Sequence, residues 1–285
     1  MAKIIPLSEA VGDLIGDGSA VAMEGFTHLI PHAAGHEIIR QGKRDLILYR
    51  MTPDVIYDQL IGAGAVAKLV FSWGGNPGVG SLHRLRDAVE NGWPRPLEIV
   101  EHTHAAMAAA YVAGASDLPF GVIRGVHGSD LHEHSKAVRW IESPFDGERV
   151  LAVVAHRPDV TVIHAQRADG DGNVQLWGIV GIQKEAALAA NSLIVTVEEI
   201  VDRFDAVPGE MVLPHHVVTA ICHAPGGAHP SYAQGYTQRD NGFYTAWDAI
   251  SRDRNRFEEW ITHHVRGTTS IAEVLDSIAN AGDGE

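Results

Sequence analysis

The chain has 285 residues, enough for one large domain or two small ones and for a sizeable core. Its 36 acidic and 22 basic residues leave a net charge of −14 with no acidic run, which argues against nucleic acid or an anionic membrane surface as partner. One cysteine, Cys222, excludes an internal disulfide; with no signal-type hydrophobic region in Met1–Pro6 and no run of 18 apolar residues, a soluble cytoplasmic protein is expected.

In chain order, short β-rich runs alternate with helical patterns at the spacing of βαβ units. Residues 20–23, 46–49, 69–72, 97–100 and 122–124 read as buried strands, and residues 32–40, 54–61, 81–91 and 103–113 as the helices between them. Further strands are expected at 150–154, 160–165, 174–177, 193–197 and 217–222, with helices at 184–190, 256–264 and 271–280. This order predicts an α/β fold, an open, mostly parallel sheet with helices on both faces. No linker or low-complexity segment divides the chain, so a single domain over 1–285 is expected, with 126–147 as an irregular excursion. Asp169-Gly170-Asp171-Gly172-Asn173 reads as a turn between two strands; its Asp spacing resembles a calcium loop but the twelfth-position carboxylate is missing.

The densest signal is Phe71-Ser72-Trp73-Gly74-Gly75-Asn76-Pro77-Gly78-Val79-Gly80-Ser81, an apolar run opening into four glycines before a helical pattern. Without Cβ atoms such a backbone can approach a ligand closely, and Ser81 as helix N-cap would aim free N–H groups at an anion. A tight strand-to-helix turn with no ligand is the plainer alternative. Gly25-Phe26-Thr27 is a second loop of the same kind, and two such loops at the ends of parallel strands suggest one crevice. Arg50 closes a strand at that same edge, where its planar fork suits a carboxylate; pairing with Asp54 is an equal alternative. Glu101, His102, Thr103 and His104 follow the next strand, as pocket lining or as a solvated helix cap.

Other chemistries lack their patterns. There is no G-x-S-x-G elbow or P-loop, and the glycines at 75, 78 and 80 miss the dinucleotide spacing. Cys222 reads as a buried thiol. His28, His32 and His36, and the cluster His132-Glu133-His134, lack H-E-x-x-H and read as structural or surface histidines, so no metal is expected.

In combination these stretches resemble the α (A) subunits of class I CoA-transferases of the glutaconate/3-oxoadipate type. The resemblance rests on Val21-Ala22-Met23-Glu24-Gly25-Phe26-Thr27, with Glu24 where the family has a first glycine. It extends through residues 37–46, 74–84, 113–120, 159–166, 196–201, 224–231 and 238–241, nearly the whole chain. It implies an enzyme that moves CoA from succinyl-CoA to a 3-oxo dicarboxylic acid, 3-oxoadipate, in aromatic-compound degradation. A glutamate would form an acyl anhydride and then a glutamyl-CoA thioester. That glutamate sits in a Ser-Glu-Asn-Gly setting on a β subunit. No such motif occurs here, and neither Glu24 nor Glu101 lies in one, so no catalytic residue is expected in this chain. The resemblance further implies a β-subunit partner (αβ or α2β2), a CoA thioester as substrate and no permanently bound cofactor. It assigns Gly25, Phe26, Thr27, Gly75, Asn76, Glu101, His102 and His104 to substrate or CoA binding and Arg50 to the distal carboxylate. Alternatives are a transferase chain for glutaconate or another short acid, a ring-opening C–C hydrolase of the same fold, which His104 in place of its glutamate disfavours, or a non-catalytic scaffold.

Overall fold

The computed structural model describes residues 2–76, 79–124 and 130–282. The first half runs β1 (Lys3–Ile4), α1 (Leu7–Leu14), β2 (Ala20–Glu24), α2 (His32–Arg40), β3 (Leu46–Arg50), α3 (Val55–Gly62), β4 (Val66–Phe71), α4 (His83–Asn91), β5 (Glu98–Glu101) and α5 (His104–Ala115). A small insert follows, β6 (Phe120–Ile123), α6 (Leu131–His134), β7 (Val138–Glu142) and β8 (Arg149–Val154). Then come β9 (Val160–Asp169), β10 (Val174–Leu176), α7 (Gln183–Ala189), β11 (Ser192–Val201), β12 (Met211–Leu213) and β13 (Ala220–His223). The chain closes with α8 (Asn241–Arg252), α9 (Arg254–Ile261), a π turn (Thr262–Arg266) and α10 (Ile271–Gly282).

The main sheet has the order β1-β13-β11-β9-β2-β3-β4-β5, every neighbouring pair on this path being parallel, with β10 and β12 added antiparallel. Strict alternation along the strands feeds two cores. In β3, Leu46 and Leu48 pack with α1–α3 and the C-terminal helices, while Ile47 and Tyr49 pack with Met107 and Tyr111 of α5 and Ala186 of α7. Period-2 apolar patterning on both faces is what a sheet covered by helices on each side requires. From β2 the chain proceeds to β3, β4 and β5 on one side; from β9, beside β2, it proceeds to β11 and β13 on the other. The winding direction therefore reverses between β2 and β9, where open α/β sheets leave a crevice beyond the strands' carboxyl ends.

Several expectations need correction. The stretch 126–147, expected to be irregular, contains α6 and β7 beyond residue 129, and β7 joins β6 and β8 in an antiparallel sheet packed on α5. Residues 126–129 lie outside the described residues. The strand expected at 217–222 is shortened to β13 by a 3-10 turn at His215–Val217. Two helices, α1 and α8, add to the expected set; α8 is capped by Asp240, which accepts from Phe243 N, and buries Phe243, Tyr244 and Trp247. The Asp169 turn is the β9–β10 hairpin, its carboxylate accepting the N–H groups of Asp171 and Asn173. Cys222 is fully buried in the sheet. Among the described residues no helix is long and apolar enough to cross a membrane.

Gly114 shows how tightly the second layer closes. A Cβ there would fall on the carbonyl oxygen of His156 and within 3.1 Å of Ala189 Cβ. Gly114→Ala gains up to about 1 kcal/mol of helix propensity but forces α5 off its neighbours, which costs about 1–3 kcal/mol or more. We expect a lower urea midpoint with an unchanged slope; a raised midpoint would mean the contact relaxes freely.

Candidate active-site edge

The loop after β2 lies at the reversal point and is held in an unusual shape. Thr27 (φ 58°) and Leu29 (φ 52°) are in the left-handed region, a strain of about 1–3 kcal/mol per residue that surrounding bonds must hold. Arg50, at the end of β3, donates from Nη2 to Gly25 O at 2.8 Å and to Asp54 Oδ2 at 3.1 Å. Gln183, opening α7, sends one Nε2 toward three carbonyls, Glu24 O and Leu29 O at 3.3 Å and His164 O at 3.4 Å. Leu29 N donates to Tyr232 O and Ile30 N to Ser231 Oγ, so the far end is tied down as well. Gly25 is required by this folding-back. A Cβ there would lie 2.7 Å from Leu29 O and 2.9 Å from Ile30 Cα, so the loop's own backbone, rather than a ligand, demands the glycine.

Under the loop sits an unusual charge set. Arg50 is fully buried, its guanidinium 5.3 Å from the Tyr57 ring centroid. Burial pushes the Asp54 carboxyl upward despite the neighbouring guanidinium. Glu24 Oε1 accepts Met51 N at 3.0 Å and Tyr111 Oη–H at 2.9 Å. Burial raises its pKa to about 7, with Arg50 and these hydrogen bonds opposing the rise. A carboxyl whose titration burial pushes toward neutrality therefore sits beneath the first loop.

The second loop meets the first. Phe26 and Thr27 line one narrow cavity with Trp73 and Gly75, floored by Asp54 and closed by Arg239 and Tyr244 of the C-terminal segment. Gly75 N donates to Pro53 O, and a Cβ on Gly75 would strike the Trp73 ring. Asn76 is 4% exposed, and neither Oδ1 nor Nδ2 has a partner. Beside it, a groove of about 500 Å³ runs between α4 and β5.

Two site expectations are corrected. Ser81 does not cap α4, which begins at His83 with Leu82 before it. Asp58 of α3 reaches that helix end instead, its Oδ1 accepting Arg84 N at 2.8 Å and Leu85 N at 2.9 Å while Trp247 Nε1 donates to Oδ2. A carboxylate already occupies the helix terminus that an incoming anion would need. Arg50 does not face solvent either; its Nη2 is bonded to Gly25 O and to Asp54, the alternative pairing, while Nε and Nη1 are buried without a partner.

Glu101 and His102 line a different cavity, a cleft of about 610 Å³ on the α5 side of β3–β5. His102 N donates to Phe71 O, which fixes it beside the second loop. Its ring is 2% exposed with both nitrogens unpartnered, and burial lowers its pKa to about 4. His156 stands 5.4 Å away, ring to ring, its pKa lowered to about 3 by burial and then by His102. His104 opens α5, is exposed and lines neither this cleft nor the loop cavities named here. Apart from His104, the expected residues thus form two groups on either side of β4–β5. Gln183, Tyr111 and His156 escape sequence reasoning, because isolated polar or aromatic residues in apolar contexts carry no spacing signal.

Of the other buried histidines, His28, His36 and His164 have hydrogen-bond partners, whereas both ring nitrogens of His32 are buried without one. His28 donates from Nδ1 to Ile179 O while Nε2 accepts Gln234 N, which fixes the neutral tautomer. His36 donates from Nε2 to Gln59 Oε1. His164 Nε2 donates to Glu198 Oε1 at 2.9 Å, and Glu198 Oε2 accepts Gly226 N.

Comparison with known proteins places this geometry. A family model described as coenzyme A transferase matches residues 5–224. The A subunit of 3-oxoadipate CoA-transferase from Pseudomonas knackmussii is 62% identical, over 98% of this chain and 99% of that one. The A subunit of glutaconate CoA-transferase from Acidaminococcus fermentans is 33% identical over 92% of this chain and 88% of its own. The crystal structure of that organism's glutaconate CoA-transferase superposes with a TM-score of 0.89 at 29% identity, covering 99% of this chain and 94% of the other.

Glu24 gives a direct pH test. Its carboxyl titrates near 4.5 when unfolded and near 7 when folded, so between those values the native chain holds the extra proton. This contribution to stability is complete below about pH 4.5 and is lost as pH rises toward 7. Glu24→Gln keeps an acceptor for Tyr111 and Met51, and its unfolding midpoint should vary less across that window than the parent's. Identical pH profiles would assign the titration to another group.

Proposed function

The chain belongs to the coenzyme A transferase family, and we propose that it is the α-type subunit of a two-chain enzyme passing CoA from succinyl-CoA to 3-oxoadipate. The near-complete, 62% match to a transferase chain of that name carries the reading. The missing nucleophile motif supports the division of labour. Of the described carboxylates at this edge, Glu24 is buried and bonded to Tyr111, and Glu101 is exposed on the edge strand. Neither is set in a nucleophile loop, so a partner supplies the attacking glutamate.

On this reading the chain forms one wall of the cleft. Phe26 and Thr27 of the first loop present a rim, Gly75 faces them across the narrow cavity, and Asn76 lines the groove beside it. As carboxylate attacks thioester, charge develops on the acyl oxygen. A preorganised neutral donor stabilises it without reorganisation. The unpartnered amide of Asn76 has a free donor for that task. Arg50 acts through the loop it grips, as a positioning residue.

Two outcomes follow. The purified chain alone should transfer no CoA and should gain activity when co-expressed with a β partner, measured with succinyl-CoA against a panel of 3-oxo and dicarboxylic acids. Turnover by the rigorously purified single chain would refute the two-chain reading. In the assembled enzyme, Asn76→Ala should lower kcat by roughly 10²–10³ with the fold intact by circular dichroism; an unchanged kcat at saturating substrates would make the amide structural.

A further inference from the structure

A cleft of about 610 Å³ lies apart from the two glycine loops. We propose that this cleft, on the α5 side of β3–β5, seats the chain of the acceptor acid, with Lys68 and Lys136 binding the carboxylate remote from the reacting end. This deepens the CoA-transfer reading and rests on it.

The sheet register gives the cleft its length. Lys68 lies opposite Glu98 at one end, and Phe71 lies opposite Glu101 at the other, with His102 just beyond. Three residue steps of strand are about 10 Å, a span that an extended six-carbon diacid and a lysine side chain cover together. Val70 and Val100 form an apolar floor between the ends.

The chemistry is graded along that length. At the loop end, His102 and His156 are uncharged at neutral pH. A neutral imidazole offers one donor and one acceptor, and both ring nitrogens of His102 are buried without partners beside the cleft. That suits a keto oxygen or an acyl group that has lost its charge, and gives no pull on an anion. Two lysines, Lys68 and Lys136, line the cleft as well. Lys68 Nζ holds Glu98 Oε1 at 2.9 Å, leaving two of its three donors. Lys136 is exposed and makes no ion pair among the described residues. The carboxylates facing them in the cleft are Glu98, already paired, and Glu101, at the opposite end. In a chain of net charge −14 these lysines are the local cations an anionic acceptor needs. Arg50 is fully buried and does not line this cleft.

The test uses the α–β complex. With succinyl-CoA as donor, kcat/KM is measured for 3-oxoadipate and for the 3-oxo monocarboxylate of the same chain length. Lys68→Met combined with Lys136→Met should lower the diacid-to-monoacid ratio of kcat/KM by about tenfold, as loss of two partly solvated ion pairs predicts. Independently, adipate titrated into the unmodified complex should shift the His102 ring resonances, identified by their loss in His102→Phe, and should do so only at far higher concentration in the double variant. An unchanged acceptor ratio, or adipate binding that leaves His102 unmoved, overturns the assignment. If none of the acids accepts CoA, the transfer reading fails, and the adipate titration still decides the cleft.

Discussion

The active edge depends on buried side chains holding main-chain carbonyls. The loop after β2 carries two residues in left-handed conformations that its sequence does not favour, and Arg50 and Gln183 grip Gly25, Glu24 and Leu29 from beneath. A guanidinium without solvent is tolerable only with charged and polar partners. Asp54 supplies the charge, Gly25 the carbonyl and Tyr57 an aromatic face. The cation, the strained loop and the reversal of strand order are one arrangement: remove any member and the others lose their justification.

The alternation of strands and helices, and the two glycine loops meeting at one edge, were legible because period-2 apolar runs and glycine punctuation are local signals. Phe26, Thr27 and Gly75 do line one cavity. Arg50 was legible as a strand-end arginine, but not its direction, since a fork four residues before Asp54 reads alike whether it faces a substrate or its neighbour. The end of α4 misled for a related reason. Ser81 is a good capping residue, yet Asp58, more than twenty positions earlier, takes the N–H groups through tertiary contact. β7 was hidden in a stretch rich in His, Ser and Asp whose apolar residues, Val138 and Trp140, face α5 only once β8 is beside them.

β5 divides the edge into two environments. On the α4 side are the second glycine loop and the shallow groove; on the α5 side is the cleft ending at His102. Among the described residues β5 pairs with β4 alone, and its outer edge lies between two hollows. On the proposed assignments, the group that polarises a thioester and the groups that select an acid stand on opposite sides of a single strand.

The Asp58–Trp247 hydrogen bond joins positions 189 apart and completes the set of partners that fixes the start of α4, just after the second loop. Its aromatic surroundings, Phe243 stacked at 6.1 Å and Trp260 edge-on at 5.0 Å, come from the same C-terminal helices. Contacts of such long range form late in folding, because the chain between them must first be ordered. During synthesis the strands β2–β5 can assemble well before Trp247 emerges, but the carboxylate beneath the second loop then still lacks its indole. The support of the second loop is finished last, so a truncated or half-made chain carries an incomplete one.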